Sequence, residues 1–139
     1  MNERLASVER KVDTKLIIMA TWIALMCLYI YCDILSFYKP GQLSSILNGR
    51  MGPFGVSPMG IFWAAFLMVI PSMMIPVSTL APARAGRIIN LVISPVYFLV
   101  NIGNLLGETW GYYILFGSLE IGLVIFIFMI SLRWPKQNG

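Results

Sequence analysis

Long apolar runs alternate with short polar segments along the chain, and this pattern predicts four helices. The runs fall at about 16–37, 59–80, 87–107 and 112–133. Each has about the 20 residues that a helix needs to cross a ~30 Å hydrocarbon core. Only the segment 38–58 is a sizeable loop, and we expect it to lie outside. The pattern therefore predicts an all-α fold, an integral membrane four-helix transmembrane bundle that forms a single domain over residues 1–139.

Polar side chains interrupt the third run with helical spacing. They are Asn90, Ser94, Tyr97, Asn101, Asn104 and Glu108, separated by steps of 4, 3, 4, 3 and 4 residues. These steps put all six on one face of a helix. Because lipid offers no hydrogen-bond partners, we expect this face to turn toward other helices or water. The first run has a matching series at Trp22, Met26, Tyr29, Asp33 and Ser36, and the fourth has one at Tyr113, Gly117 and Glu120.

Two of these polar positions are carboxylates inside apolar runs. With Tyr38 and Tyr112 as the outer boundary, Asp33 lies roughly 7 Å and Glu120 roughly 12 Å deep at ~1.5 Å per residue. Two carboxylates without a basic partner repel each other, so a bound cation or proton would stabilise the pair. We therefore predict an outward-facing acidic pocket that binds or transports a small ligand or a cation. Its expected ligand-binding residues are Asp33, Glu120, Tyr29, Tyr97, Asn101 and Asn104.

The same polar positions also have a purely structural interpretation. Hydrogen bonds among them would hold the helices together, each contributing about 0.6 kcal/mol on average in membrane proteins. The chain would then be an accessory or scaffold subunit of a membrane complex, with a second copy or another membrane protein as its partner. A membrane enzyme is a third alternative. No catalytic residue is predicted, because nothing arranges a nucleophile, a base and oxyanion donors together.

Composition narrows the classes of function. The chain is 58% hydrophobic and 12% charged, with a mean hydropathy of +0.80, which leaves too little polar surface for a soluble domain of this size. It has no histidine, and so lacks the usual general base and the commonest zinc and haem ligand. We therefore predict no metal site and no cofactor. We attribute the net charge of +4 to membrane topology and predict no nucleic-acid partner.

The basic residues predict the orientation in the membrane. Eight of them fall on one side of the four spans, namely Arg4, Arg10, Lys11, Lys15, Arg84, Arg87, Arg133 and Lys136, while Lys39 and Arg50 lie in the first loop. Both termini are therefore predicted to be cytoplasmic. Before the first span, Leu5, Val8, Val12 and Leu16 have the spacing of a short interfacial helix.

Glycine and proline positions add local expectations. Gly103, Gly107 and Gly111 form two overlapping G-x-x-x-G spacings, which predict the tightest helix approach at the outer end of the third span. Pro71 and Pro76 fall inside the second span and Pro95 inside the third, where each removes a backbone donor and is expected to kink the helix.

Several sequence blocks resemble a known family. They are YIYCDILSFYKPG at 29–41, IPSMMIPVS at 70–78, RIIN at 87–90 with Tyr97 after it, and a WPK ending at Trp134. Together they resemble an uncharacterised bacterial family of small four-span membrane proteins, a domain of unknown function. The resemblance covers nearly the whole chain and implies the same fold in a bacterial inner membrane, as a multi-pass protein. It implies no activity, substrate or site residue. More loosely, the size and layout resemble the membrane proteins grouped around DoxX, and two acids in a four-helix pocket resemble the emopamil-binding group.

Overall fold

The computed structural model describes residues 12–134, and within them it contains five helices and a small hairpin. The elements are α1 (Thr14–Ser36), α2 (Gln42–Leu47), β1 (Arg50–Met51), β2 (Phe54–Gly55), α3 (Pro58–Leu80), α4 (Ala83–Leu105) and α5 (Gly111–Arg133). The helices α1, α3, α4 and α5 are long and apolar enough to cross a membrane, and they coincide with the four apolar runs. The predicted interfacial helix ahead of α1 falls mainly on residues 1–11, which are outside the described residues.

Each long helix packs on neighbours that run in the opposite direction. The most extensive contacts join α4 to α5 and α1 to α3; α1 also contacts α5, and α3 makes a smaller contact with α4. The centre of this arrangement is filled by large side chains from all four helices, among them Ile18, Trp22, Leu25, Met74, Tyr97, Val124 and Ile127. This core positions the polar side chains of α4 between its neighbours.

Two basic side chains join helices at one end of the bundle. The ammonium of Lys15 donates to the carbonyls of Thr79, at 3.1 Å, and Ala81, at 2.7 Å, where α3 ends. The guanidinium of Arg87 donates to the carbonyls of Ser131, at 3.0 Å, and Leu132, at 3.3 Å, where α5 ends. The last carbonyls of a helix have no intrahelical donor and carry its negative dipole end. Lys15 and Arg87, two of the basic residues that predict the orientation in the membrane, therefore also cap helices.

The segment between α1 and α3 folds back on itself. The two strands pair antiparallel, with Arg50 opposite Gly55 and Met51 opposite Phe54. The hairpin rests on the first turn of α3, where a Cβ added to Gly60 would overlap the carbonyl oxygen of Gly55. Ser57 caps α3 by accepting from the backbone N–H of Gly60 at 3.0 Å.

The predicted close approach at the outer end of α4 is wrong. A Cβ added to Gly103, Gly107 or Gly111 would meet no atom within 4 Å. The reason is that α4 ends at Leu105, so Gly107 lies in the following turn with a φ of 80°. The tight contact is at Gly117 of α5 instead, where an added Cβ would lie 2.5 Å from Cδ2 of Leu105.

Candidate functional site

The polar face of α4 lies inside the bundle over most of its length. Asn90, Ser94, Tyr97 and Asn101 are all buried, with at most 1% of each side chain exposed. Asn104, in the last turn of the helix, is exposed, and Glu108 follows the helix end. This corrects the expected extent of the face, which ends at Asn101.

Nearer the capped end of the bundle, Asn90 joins three helices. Its side-chain oxygen accepts from the indole N–H of Trp22 on α1 at 2.8 Å. Its amide nitrogen donates to the carbonyl of Gly86 at 2.8 Å and to the hydroxyl of Ser78 on α3 at 3.4 Å. Because both ends of the amide have partners, this group is structural and offers nothing to a ligand.

Tyr97 has an equally specific structural role. Its hydroxyl donates to the backbone carbonyl of Leu67 on α3. In a regular helix that carbonyl would accept from the N–H of residue 71, but Pro71 has no N–H. Tyr97 therefore supplies the donor that the proline removes. Tyr97 is one of the predicted ligand-binding residues, but its hydroxyl has a partner within the protein.

Toward the other end of α4, two buried polar atoms have no partner. The hydroxyl of Tyr29 donates to Oδ1 of Asn101 at 2.7 Å, while Nδ2 of Asn101 has no hydrogen-bond acceptor among the described residues. On the adjacent helix α5, Glu120 is 5% exposed, and within residues 12–134 its Oε1 has no donor. The hydroxyl of Ser131, far along α5, also has no partner in the part of the chain that the structure describes. Tyr29, Asn101 and Glu120 are the predicted site residues that remain available to a ligand inside the protein.

The second carboxylate, Asp33, lies at the edge of this region. The buried face of α1 runs through Ile18, Trp22, Leu25, Tyr29 and Cys32, so Asp33 falls about 100° away from Cys32 and is exposed. The face of α1 predicted from the sequence, which includes Met26 and Asp33, therefore differs from the face of α1 that packs into the core. A pocket shared by both acids stays a prediction.

A cluster that sequence reasoning missed surrounds Lys39. Its ammonium lies 2.8 Å from Oε2 of Glu108, 5.6 Å from the centre of the Trp110 ring and 5.4 Å from that of Tyr113. From the sequence, Lys39 is expected only to lie in the first loop. The one sequence feature that points to the ion pair is that Lys39 and Glu108 each lie just beyond the end of a predicted helix.

Glu108 is fixed by more than this ion pair. Its Oε1 accepts from the backbone N–H groups of Thr109, at 2.9 Å, and Trp110, at 3.2 Å. Burial acts to raise the pKa of Glu108, but the bonds from Lys39 and from the two N–H groups outweigh it, and the pKa is lowered from its usual 4.5. The carboxylate is therefore ionised and oriented at neutral pH.

Comparison with known proteins places the chain in a family. The model of a family of unknown function, DUF6326, matches residues 6–139. The chain belongs to DUF6326. The predicted resemblance to a family of unknown function is thus confirmed, while the match is silent on activity and on organism. No curated protein and no solved structure matches the chain.

Two further features bear on what this DUF6326 chain can bind. Over residues 12–134, no three His, Cys, Asp or Glu side chains come together in a way that would hold a metal ion. A cavity of about 290 Å³ opens between α4 and α5, lined by Ser94, Pro95, Phe98, Val124, Ile125 and Phe128. Its lining includes none of the predicted site residues. The polar candidate site of the DUF6326 chain is therefore the region of Tyr29, Asn101 and Glu120.

Proposed function

We propose that the chain is a membrane protein that binds or transports a small cation through Glu120 and Asn101. The observation that supports this is the pair of unpartnered buried atoms, an acceptor on Glu120 and a donor on Asn101. A buried polar group without a hydrogen bond costs about 1 to 3 kcal/mol, and a charged one costs more. A ligand that donates to the carboxylate and accepts from the amide would relieve both costs.

Tyr29 supports this assignment by orienting Asn101. Because the tyrosine hydroxyl donates to Oδ1, the Nδ2 group is left to donate elsewhere. Glu120 supplies the negative charge, and Asp33, exposed on α1, carries a second one. The chemistry that fits is a small organic cation with a hydroxyl, ether or carbonyl oxygen next to its charged nitrogen.

We further propose that this is a multi-pass protein of a bacterial inner membrane with both termini in the cytoplasm. The four apolar helices support the multi-pass topology, and the eight-to-two distribution of basic residues supports the orientation. Reporter fusions at residues 1 and 139 test the orientation, and both should report cytoplasm. An extracellular C-terminus would refute it.

The binding proposal is tested with amide variants of the two acids. Purified protein in detergent is heated with and without a panel of small organic cations. Glu120→Gln keeps the shape of the side chain but not its charge, so it should fold and yet lose the cation-induced rise in melting temperature. Asp33→Asn should weaken this rise only in part. A Glu120→Gln protein that responds to every cation as the wild type does would refute the proposal.

Asn101 and Asn104 provide a matched pair on the same helix. Asn101→Leu removes the donor of the proposed site, whereas Asn104→Leu changes an exposed side chain one turn away. Cation-induced stabilisation should disappear in the first variant and persist in the second. Equal behaviour of the two variants would mean that the amide of Asn101 takes no part in binding.

A second candidate is an accessory or scaffold subunit with a structural polar core. The satisfied bonds of Asn90 and Tyr97 favour it, as does the outer apolar face of α3, where Phe62, Trp63 and Phe66 are exposed. A second copy or another membrane protein would then cover α3. Light scattering of the purified protein measures the number of copies, and Trp63→Ala should lower it under this alternative.

A further inference from the structure

The side chain of Lys39 occupies a site built to hold an ammonium group. We call the side chains of Glu108, Trp110 and Tyr113 the Lys39 cage. The Lys39 and Glu108 side chains are only 17% and 16% exposed, so the pair is largely withdrawn from water. Two aromatic ring faces and a carboxylate are the groups that proteins use to bind organic ammonium ions.

The cage lies on the same side of α5 as Glu120. Tyr113, Gly117 and Glu120 share one face of the helix, and the seven steps from first to last span about 10 Å. The side chain of Leu105 packs on Gly117 between these two levels. Next to the cage, the hydroxyls of Ser36 and Tyr112 lie 3.1 Å apart and join α1 to α5. The cage is thus the outer neighbour of the proposed cation site.

The cage does not depend on Lys39 for its shape. Glu108 is oriented by the backbone N–H groups of Thr109 and Trp110, and these bonds are local to the turn before α5. Lys39, in contrast, reaches the cage on a flexible four-carbon chain that follows the end of α1. The lysine is therefore the part that can leave.

We propose that Lys39 is a tethered competitor, and that the cage binds the ammonium group of an incoming ligand when the lysine swings out. This inference rests on the proposed function for the passage of the ligand to Glu120, and it adds the ligand class. The ammonium group has two sources at this position: a free amine, or the headgroup of phosphatidylethanolamine at the membrane surface.

The test uses Lys39→Met to remove the lysine ammonium from the cage. The control is Lys39→Arg, which keeps a cation in the cage. Ethylammonium binding is measured by calorimetry in nanodiscs of phosphatidylglycerol. Lys39→Met should bind about tenfold more tightly than wild type, a gain between that of an exposed and that of a desolvated cation–π contact. Lys39→Arg should match wild type, and Trp110→Leu added to Lys39→Met should abolish the gain. Lys39→Gln, which keeps a hydrogen-bond donor for Glu108, replaces the methionine variant if that variant fails to fold.

Further measurements distinguish the two sources of the ammonium group, and they also distinguish the Lys39 cage from the proposed Glu120 site. If the headgroup is the ligand, nanodiscs of phosphatidylethanolamine should prevent the tighter binding of ethylammonium by Lys39→Met. If a free amine is the ligand, the tighter binding should persist in these nanodiscs. Either result supports the cage. Adding Glu120→Gln should leave the gain intact, so a failed cage and a failed Glu120 site give different results. Lys39→Met binding no tighter than wild type, or a gain that survives Trp110→Leu, would overturn the inference.

Discussion

The hydroxyl of Tyr97 donates to the backbone carbonyl of Leu67, the carbonyl that Pro71 deprives of its helical donor. Tyr97→Phe should therefore leave a buried carbonyl unpaired and lower the free energy of unfolding by about 1 kcal/mol. The loss should shrink in a Pro71→Ala background, because residue 71 then has an N–H for Leu67. Unfolding in mixed detergent measures all four proteins of this cycle.

The same four proteins also provide the result that would contradict this prediction. If Tyr97→Phe costs the same with proline and with alanine at position 71, the hydroxyl is not compensating for the proline. Ser94→Ala is a useful comparison, since its hydroxyl donates to the carbonyl of Asn90 within α4 and should show no coupling to Pro71.

Gly117 and Gly122 give a matched pair on α5. Gly117→Ala places a methyl group 2.5 Å from Leu105 and should destabilise the protein by about 1 kcal/mol, while an alanine at Gly122 meets no atom within 4 Å. Gly122→Ala should be neutral or stabilising by up to about 1 kcal/mol, because alanine favours the helix. Thermal unfolding measures both. Leu105→Ala should rescue Gly117→Ala, and a failure to do so would contradict the assigned contact.

The ion pair of Lys39 and Glu108 predicts a dependence of stability on pH. Since the pKa of Glu108 is lowered in the folded protein, its contribution is fully present above the unfolded value of 4.5. The contribution is lost as the pH falls below 4.5 through the folded value. The measured quantity is the melting temperature of wild type minus that of Glu108→Gln, which removes the effect of other acids. A difference that stays constant from pH 7 to pH 3 would contradict this assignment.

Arg87 and Arg84 test the helix caps at the other end. Arg87→Ala removes the donors to the last carbonyls of α5 and should lower the free energy of unfolding by about 1 kcal/mol. Arg84 is exposed, so Arg84→Ala should change stability by less than about 0.5 kcal/mol. Urea or mixed-detergent unfolding measures both, and equal losses would show that charge alone matters.

Some features follow from the sequence because they depend only on local spacing. Four apolar runs of membrane-spanning length give four long helices, since length and hydropathy are properties of each segment by itself. The 3.6-residue period likewise predicts that Asn90, Ser94, Tyr97 and Asn101 share a face, and the structure buries all four. The end of α4 at Leu105 does not follow from this spacing, so Gly107 lies in the turn after the helix, and Asn104 in the last turn is exposed.

Other features depend on which helix lies opposite, and the tertiary structure alone decides them. The spacing on α1 fits a buried face through Asp33 nearly as well as one through Cys32, and packing against α3 and α5 selects Cys32. The contact of Lys39 with Glu108 joins residues 69 positions apart. A helix can rotate about its axis without changing its sequence periodicity, so only the shapes of its neighbours fix which polar groups meet.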